Sequence, residues 1–397
     1  MAVEPVDIAQ VPDETFGDYD FGLSAEAEAR ASALHASAIV VDMLCQGPCG
    51  YRAFTPAMDD EIRAHLSTAA NLTDAWNFVY ELPVRRALAG VDGGTFERCW
   101  RASGVTAASR ERDFVSLRDM LAGLALAAAQ FERLPWMRRV RTPDDIRAAK
   151  REGTVAGFVN SQDTVGFGTD LELLDAAHAL GLCMLQLTYN SANFVGAGCT
   201  ERGDAGLTHF GVRLVERANA LGVLLDTSHC GRQTTLDACA TSRRPVVASH
   251  TAAAALVDSA RAKSDEELEA IAATGGLIAI CAVPAFVSED EHPTIEALLD
   301  HVDHVARHVG WQHVGIGTDW PNQMSQWALR HVAQPWTQAH GFRAEHRVDC
   351  MKNLIGFDDY RDFPNLTRGL VARGYGDEEI RGILGENFLR VLGEVVA

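Results

Sequence analysis

The sequence has few of the features that direct a protein to a membrane, to nucleic acid or to export. Its apolar runs are too short to span a bilayer, and the stretch MAVEPVDIAQVPDETFGDYDFG is too acidic and polar for a signal peptide. It contains no basic run, and 35 Lys and Arg against 54 Asp and Glu give a net charge of -19. That charge would repel nucleic acid and anionic lipid. We therefore expect a soluble protein without either partner.

The cysteines do not form the pattern of a disulfide framework. There are nine, an odd number scattered over 397 residues. Cys45 and Cys49 are the only close pair, and no second pair completes a zinc site. We expect a reducing, cytoplasmic location. The sequence also lacks a phosphate-binding Gly-rich loop followed by Lys, a G-x-S-x-G elbow and an H-E-x-x-H helix.

A repeated pattern predicts an α/β fold. Short apolar runs are each followed by a polar loop and a helical pattern, which is typical of parallel strands with crossover helices. Eight such units predict a closed (β/α)8 TIM barrel, whose active site lies at the C-terminal ends of the strands. The predicted strands are Ile39–Val41, Val105–Ala107, Val155–Val159, Met184–Leu187, Val223–Leu225, Val246–Ala248, Leu277–Ile280 and Val314–Ile316.

The predicted helices have recognisable ends. Thr208 is placed to cap a helix that Gly222 terminates, and residues 265–273 begin with acidic side chains and stop before Gly275-Gly276. Residues 51–100 hold helical patches without a clear strand, and residues 320–364 lack strong periodicity. We interpret residues 51–100 as an insertion into, and residues 320–364 as an extended segment of, a single barrel domain spanning 1–397.

Several spaced segments carry a resemblance to a known family. They include LQLTYNSANFVGAG, GVLLDTSH, RRPVVASHTAAAALVDSAR, SDEELEAIAATGGLIAI, HVGIGTDW and ILGENFLRVL, covering roughly 153–320 and the C-terminal helix. Together they resemble the membrane (renal-type) dipeptidases, zinc peptidases on an amidohydrolase-like barrel. The resemblance implies a metal-dependent hydrolase.

The resemblance also implies roles for individual residues. His229 and His250 would bind one zinc ion, Arg261 would pair with a substrate carboxylate, and Asp319 would transfer protons. Each role suits the chemistry of the side chain: imidazoles bind zinc, a guanidinium grips a carboxylate with two hydrogen bonds, and an aspartate can take a proton from water.

Other positions depart from the family pattern. Leu44 and Gln46 stand where the family has a metal-binding His and Asp, Gln162 replaces the bridging Glu, and Tyr189 replaces a His that meets the substrate. Without those carboxylates, two divalent ions at close range would be poorly neutralised in a low-dielectric pocket. We predict one divalent ion, preferably zinc, bound by His229, His250 and Asp319, or no ion at all.

The complete set of predicted site residues follows from these arguments. We assign catalysis to Asp319 and Tyr189, substrate binding to Arg261, Gln162, Gln46 and Asn193, and metal binding to His229 and His250. Five of these have structural alternatives: hydrogen-bonded core or rim for His229 and His250, a cap for Asp319, pocket wall for Tyr189, and a surface ion pair with Asp265 or Glu266 for Arg261. His301, His304 and His308 share a helix face outside the barrel, where we expect packing or solvent.

Three functions are compatible with this set. The first is a one-ion hydrolase of a dipeptide or related small amide with a carboxylate. The second is a metal-independent lyase or isomerase that uses the same pocket for proton transfer. The third is a non-catalytic binding barrel. The resemblance further implies a homodimer or larger homo-oligomer.

Overall fold

The computed structural model describes residues 19–44, 56–111, 114–319 and 325–397. Three of the predicted residues, Cys45, Gln46 and Cys49, lie outside the described residues. No helix within those ranges is long and apolar enough to cross a bilayer.

The centre of the fold is a parallel sheet of eight strands that curves into a ring. Its order is β1-β2-β4-β5-β6-β7-β9-β10, while β3 pairs with β4 and β8 with β7 at its edge. The strands are β1 (Val41–Asp42), β2 (Ala107–Glu111), β3 (Met137–Arg139), β4 (Val155–Ser161), β5 (Leu182–Gln186), β6 (Leu224–Asp226), β7 (Val246–Ala253), β8 (Ala262–Lys263), β9 (Leu277–Ile280) and β10 (Val314–Ile316).

Hydrogen bonds beyond the strand ends join the first strand to the last. The amide of Met43 donates to the carbonyl of Ile316 at 2.8 Å, and that of Asp319 donates to Leu44 at 3.0 Å. The predicted (β/α)8 barrel is confirmed. Each of the eight predicted strands overlaps an observed one, but β3 and β8 were not predicted. β7 runs five residues past its predicted end, where Ala252 and Ala253 pair with β8.

Helices surround the ring and fill the long connections. They are α1 (Ala25–Ser37), α2 (Pro56–Leu66), α3 (Leu72–Ala89), α4 (Thr95–Ser103), α5 (Leu117–Arg133), α6 (Pro143–Glu152), α7 (Glu172–Ala179), α8 (His209–Leu221), α9 (Arg232–Thr241), α10 (Asp265–Ala273), α11 (Pro284–Val287), α12 (Ile295–Val309), α13 (Gln326–Ala328), α14 (Gln334–Ala339), α15 (Phe363–Ala372), α16 (Asp377–Arg381) and α17 (Asn387–Val396). Two π-helical turns, Leu329–Ala333 and Gly382–Glu386, continue into α14 and α17.

The two helices predicted in detail have the expected ends. Thr208 accepts the amide of Gly211 at the start of α8, and Gly222 adopts a left-handed φ of 77° at its end. At α10, Ser264 and Glu267 form a reciprocal capping box. These caps fix where each helix leaves the barrel.

The barrel interior changes character along its axis. At the N-terminal end, apolar side chains of β4 and β5 such as Phe158 and Met184 pack against α17, with the Phe158 and Phe388 rings 5.0 Å apart. Because side chains alternate in a strand, the next inward positions on those strands are Asn160 and Gln186. The C-terminal half of the lumen is therefore polar.

A separate cluster lies over one side of the barrel. Helices α2 and α3, which follow β1, pack their apolar faces on α13 and the π-helical turn through Ile62, Val79, Leu329 and Val332. The rings of Trp76 and Trp336 stack at 4.6 Å between the two segments. This helical group comprises residues 56–89 and 325–340. Its assignment as an insertion into one barrel domain stays a prediction.

Candidate active site

The polar layer of the lumen continues from strand to strand. The inward positions near the C-terminal ends of β4 to β7 are Asn160, Gln186, Asp226 and Ser249, each at most 1% exposed. Such groups are buried only at a cost unless they bond to one another or to a ligand. Asp226 accepts bonds from Ser228 and Ser249, whereas the side chain of Asn160 has no hydrogen-bond partner within the described ranges.

Three of the predicted site residues converge above this layer. His229 follows β6, His250 lies in β7, and Asp319 follows β10. Their ligand atoms all lie within 4.8 Å of one another. Nε2 of His250 is 4.0 Å from Oδ2 of Asp319, and the two imidazole rings are 4.9 Å apart between centroids. The barrel thus brings together the histidines and the carboxylate predicted to hold an ion.

Each histidine uses one ring nitrogen within the protein. Nδ1 of His229 lies 2.7 Å from Oδ1 of Asn190, and Nδ1 of His250 lies 2.8 Å from Oγ of Ser249. Nε2 of neither ring has a hydrogen-bond partner in the described part of the chain. Burial, with the positive charge of Arg261 adding to it, holds the pKa of both imidazoles well below the usual value. Both rings are therefore neutral near pH 7, as metal ligands must be.

Asp319 is held at a strained position of the backbone. Its φ is 46°, a left-handed value that residues other than glycine seldom adopt. The preceding residue, Thr318, donates from both its amide and its hydroxyl to the buried Asp42. Burial raises the pKa of Asp42 to about 7. Strain of this kind persists where surrounding contacts determine the conformation, and it is common at functional sites.

The cluster fits a divalent ion of the zinc type. Two buried nitrogen atoms without partners in the described ranges face the same region as a carboxylate whose side chain is 12% exposed. Two imidazoles and one carboxylate are a familiar ligand set for catalytic zinc and leave a further position open. In a tetrahedral site the ligand atoms are roughly 3.3 Å apart, so binding would draw the three side chains slightly closer.

Arg261 lies behind the histidines. Its guanidinium donates to the backbone carbonyls of Ser228 and His250, and its side chain is 1% exposed. Its Nε has no hydrogen-bond partner within the described ranges. The surface alternative is not what the structure shows, because Asp265 pairs with His304 and Glu266 pairs with Arg232. Contact of Arg261 with a substrate carboxylate stays a prediction.

The other predicted residues lie around the mouth with different surroundings. The carbonyl of Gln162 accepts the side-chain amide of Gln186 at 2.5 Å. The Tyr189 ring stacks on His229, with centroids 4.1 Å apart and planes at 22°. The amide of Asn193 donates to Asp163 and accepts from the backbone of Val195, so it ties two loops together. That these residues contact the substrate or take part in catalysis stays a prediction.

The set of three histidines on α12 serves packing, as expected. His301 is fully buried and bonds through both ring nitrogens, to the amide of Ala253 and the carbonyl of Val287. His304 and His308 pair with Asp265 and Glu269 on α10.

Sequence reasoning missed the residues that hold the histidines in place. Asn190, Asp226 and Ser249 contact His229 or His250 directly or through one hydroxyl. A signal for Asp226 was available, because an aspartate ends the apolar strand GVLLD on the face that alternation turns inward. Asn190 offered no such signal, since it lies in a loop whose path depends on distant contacts.

Comparison with known proteins places this chain in a family. A family model described as membrane dipeptidase (peptidase family M19) matches residues 28–334 and 349–397. The chain belongs to this family. The membership confirms the resemblance recognised in the sequence.

Individual relatives of this family member cover different shares of its length. Dipeptidase verJ of Clonostachys rogersoniana is 27% identical over 257 residues, which span 64% of this chain and 59% of that protein. The crystal structure of an amidohydrolase from Pseudomonas aeruginosa is 25% identical with a TM-score of 0.69, covering 92% of this chain and 98% of the other. A metallo peptidase from Rhodobacter sphaeroides, liganded with a phosphinate mimic of the dipeptide L-Ala-D-Ala, shares the fold at 21% identity and a TM-score of 0.62, over 75% and 88% of the two chains.

Proposed function

We propose that this protein is a metal-dependent hydrolase of a dipeptide or a related small amide that carries a carboxylate. It uses one divalent ion, with zinc favoured, held by His229, His250 and Asp319. The observation that carries the proposal is the convergence of two neutral, buried imidazole nitrogens on one carboxylate. The family membership and the dipeptide mimic bound to a relative support the substrate class.

The charges around the mouth favour one ion over two. Asp319 contributes one negative charge, while Gln162 and Leu44 are neutral at positions where the family resemblance implies further ligands. Leu44 is fully buried and offers no ligand atom. A second divalent ion would add two positive charges close to Arg261, which is unfavourable in a region of low dielectric constant.

The residues of the site divide the work of hydrolysis. A bound divalent ion would supply Lewis acidity, which polarises an amide carbonyl and makes a water molecule more acidic. Asp319 accepts the proton of the attacking water and returns it to the leaving amine. The positive charge of Arg261 favours a substrate with a carboxylate, and the ring of Tyr189 stacks on the imidazole of His229.

The first experiment measures metal content by plasma mass spectrometry before and after incubation with zinc, together with cleavage of a dipeptide panel. We expect about one equivalent of metal that the double variant His229→Ala, His250→Ala loses along with activity. The matched control is His304→Ala, His308→Ala, which removes two histidines from the outer helix and should keep both. A folded protein that takes up no metal and cleaves no dipeptide would overturn the proposal.

Asp319 is tested by Asp319→Asn. Asparagine tolerates the left-handed backbone and keeps the shape of the side chain, but it can neither accept a proton nor give the ion a charged oxygen ligand. We expect the rate of hydrolysis to fall about 10²-fold or more, the usual contribution of a positioned proton-transfer group. Thermal unfolding of the variant should match the parent protein. Activity within a few-fold of the parent would exclude the assigned role.

The location and assembly of the protein are proposed on simpler grounds. All seven cysteines in the described ranges are free thiols, which supports a reducing, cytoplasmic location. A homodimer or larger homo-oligomer is proposed from the family resemblance alone, and sedimentation of the purified protein tests it.

A further inference from the structure

Asp226 is a buried carboxylate of the lumen that accepts four hydrogen bonds. Its Oδ1 accepts the backbone amides of Ser228 and Ser249 and the hydroxyl of Ser228, at 3.0, 2.9 and 2.6 Å. Its Oδ2 accepts the hydroxyl of Ser249 at 2.5 Å. Two of these donors are backbone amides, which cannot reverse their role. Asp226 is the acceptor in all four contacts, so both serine hydroxyls direct their protons at its carboxyl group.

This arrangement fixes the proton on His250. Ser249 has a single hydroxyl proton, which it donates in the hydrogen bond to Asp226. The 2.8 Å contact between Ser249 Oγ and His250 Nδ1 must then run the other way, with the imidazole Nδ1–H donating to the hydroxyl oxygen. A neutral imidazole carries one proton, so Nε2 is left with a lone pair that faces His229 and Asp319.

An amide does the same for His229. The side-chain nitrogen of Asn190 donates to the carbonyl of His340 at 2.6 Å, which orients its Oδ1 towards Nδ1 of His229 at 2.7 Å. That oxygen can only accept, so His229 also carries its proton on Nδ1. Gly198 permits the arrangement, since a Cβ at this position would lie 2.2 Å from the carbonyl oxygen of Tyr189.

We propose that Asp226 acts through Ser249, and Asn190 acts directly, as positioning residues that lock His250 and His229 in the tautomer that leaves Nε2 available to a metal ion. The inference rests on the proposed function for the ion, but the locked tautomers exist in the metal-free protein. Groups that bond to the second nitrogen of a ligand histidine orient the ring and fix its tautomer.

The deciding variant is Asp226→Asn, because it reverses the direction of the chain of bonds. The amide oxygen of the new side chain must face the backbone donors now at Oδ1, so its NH2 group faces Ser249. Ser249 then accepts from that amide and donates its own proton to the nearer of its two remaining neighbours, Nδ1 of His250 at 2.8 Å against Oγ of Ser228 at 3.2 Å. The histidine proton moves to Nε2, where it blocks the ion. We expect zinc affinity, measured by competition with a chelator, to fall about 10–100-fold.

A second substitution distinguishes this mechanism from general damage to the lumen. Ser249→Ala removes the hydroxyl that passes on the reversal and leaves the His250 tautomer unconstrained, so we expect a smaller loss of affinity. Adding Ser249→Ala to Asp226→Asn should therefore restore part of the affinity. If Asp226 had a purely structural role, the double variant would bind zinc as poorly as Asp226→Asn or more poorly, and that result would overturn the proposal.

The metal-free protein provides a test that does not depend on the proposed function. Long-range ¹H–¹⁵N spectra of protein labelled at histidine report which ring nitrogen carries the proton, and loss of a signal in His250→Gln assigns it. We expect the Nδ1–H form for His250 in the parent protein and the Nε2–H form in Asp226→Asn. A parent protein with the Nε2–H form at His250 would refute the inference even if zinc binds, and the expected tautomer without zinc binding would refute only the proposed function. If Asp226→Asn does not fold, the parent and Ser249→Ala spectra still decide.

Discussion

Two regions of the molecule bury histidines in opposite ways. In the outer layer, His35 and His301 bond through both ring nitrogens, and Nε2 of each lies against a carbonyl, to which it donates. At the barrel mouth, His229 and His250 are as deeply buried, yet Nδ1 is the protonated atom and Nε2 has no hydrogen-bond partner in the described ranges. Burial alone therefore does not mark a ligand; two unbonded imidazole nitrogens that converge on one carboxylate do.

The largest expected effect comes from removing one histidine from each region and comparing what each variant loses. His250→Ala should lower zinc affinity about 10³-fold or more, because one of three protein ligands is removed. His301→Ala should leave zinc affinity unchanged but lower the free energy of unfolding by about 1–3 kcal/mol, since its two partners lose their bonds. Zinc titration and chemical denaturation of both variants measure the two quantities. If His301→Ala released zinc, the division between the regions would fail.

A second prediction sharpens the outer half of the comparison through pH. Burial lowers the pKa of His35 to about 4, so between pH 6.5 and 4 the unfolded chain takes up a proton that the folded protein does not. The stability contributed by neutral His35 is present above pH 6.5 and is lost as the pH falls through this window, by about 3 kcal/mol in total. Denaturation at several pH values should show a flatter profile for His35→Gln. An unchanged slope would contradict the assignment.

The smallest expected effect concerns the ring stacked on His229. Tyr189→Phe keeps the stacked ring, so zinc affinity should stay within about two-fold, while hydrolysis should fall if the hydroxyl meets the substrate. Tyr189→Ala removes the stacking and should lower zinc affinity about ten-fold or less, the usual worth of an aromatic pair. Affinity and rate measured together separate the two roles. Equal rates for Tyr189→Phe and the parent would remove Tyr189 from catalysis.

Much of the fold was predictable because its signals are local. All eight barrel strands were located to within five residues, α8 was predicted with its caps, and α10 with its acidic first turn and its end before Gly275. β3 was missed because Met137–Arg139 is short and carries two arginines, so nothing in its composition favours a strand. β8 exists only because the end of β7 continues past the barrel and pairs with it.

The site was predictable only in part, because its geometry depends on distant contacts. The resemblance identified His229, His250 and Asp319, which the structure brings together. It could not show the orientation of the Asn190 amide, which is set by a carbonyl 150 residues away at His340. Nor could it show that the Arg261 guanidinium is directed at backbone carbonyls, since that depends on how the end of β7 folds back.

The hydrogen bonds that join β10 to β1, here called the seam, have a consequence for folding kinetics. β1 is two residues long, and the ring closes through bonds between residues separated by more than 270 positions, among them Met43 with Ile316 and Leu44 with Asp319. Contacts of such high sequence separation form late and slowly. Until they form, β10 is an exposed edge able to pair with another chain. The backbone of Asp319 is positioned by the same hydrogen bonds. We therefore expect enzymatic activity during refolding to appear only when the seam has closed, so the rate at which activity returns reports the last step of folding.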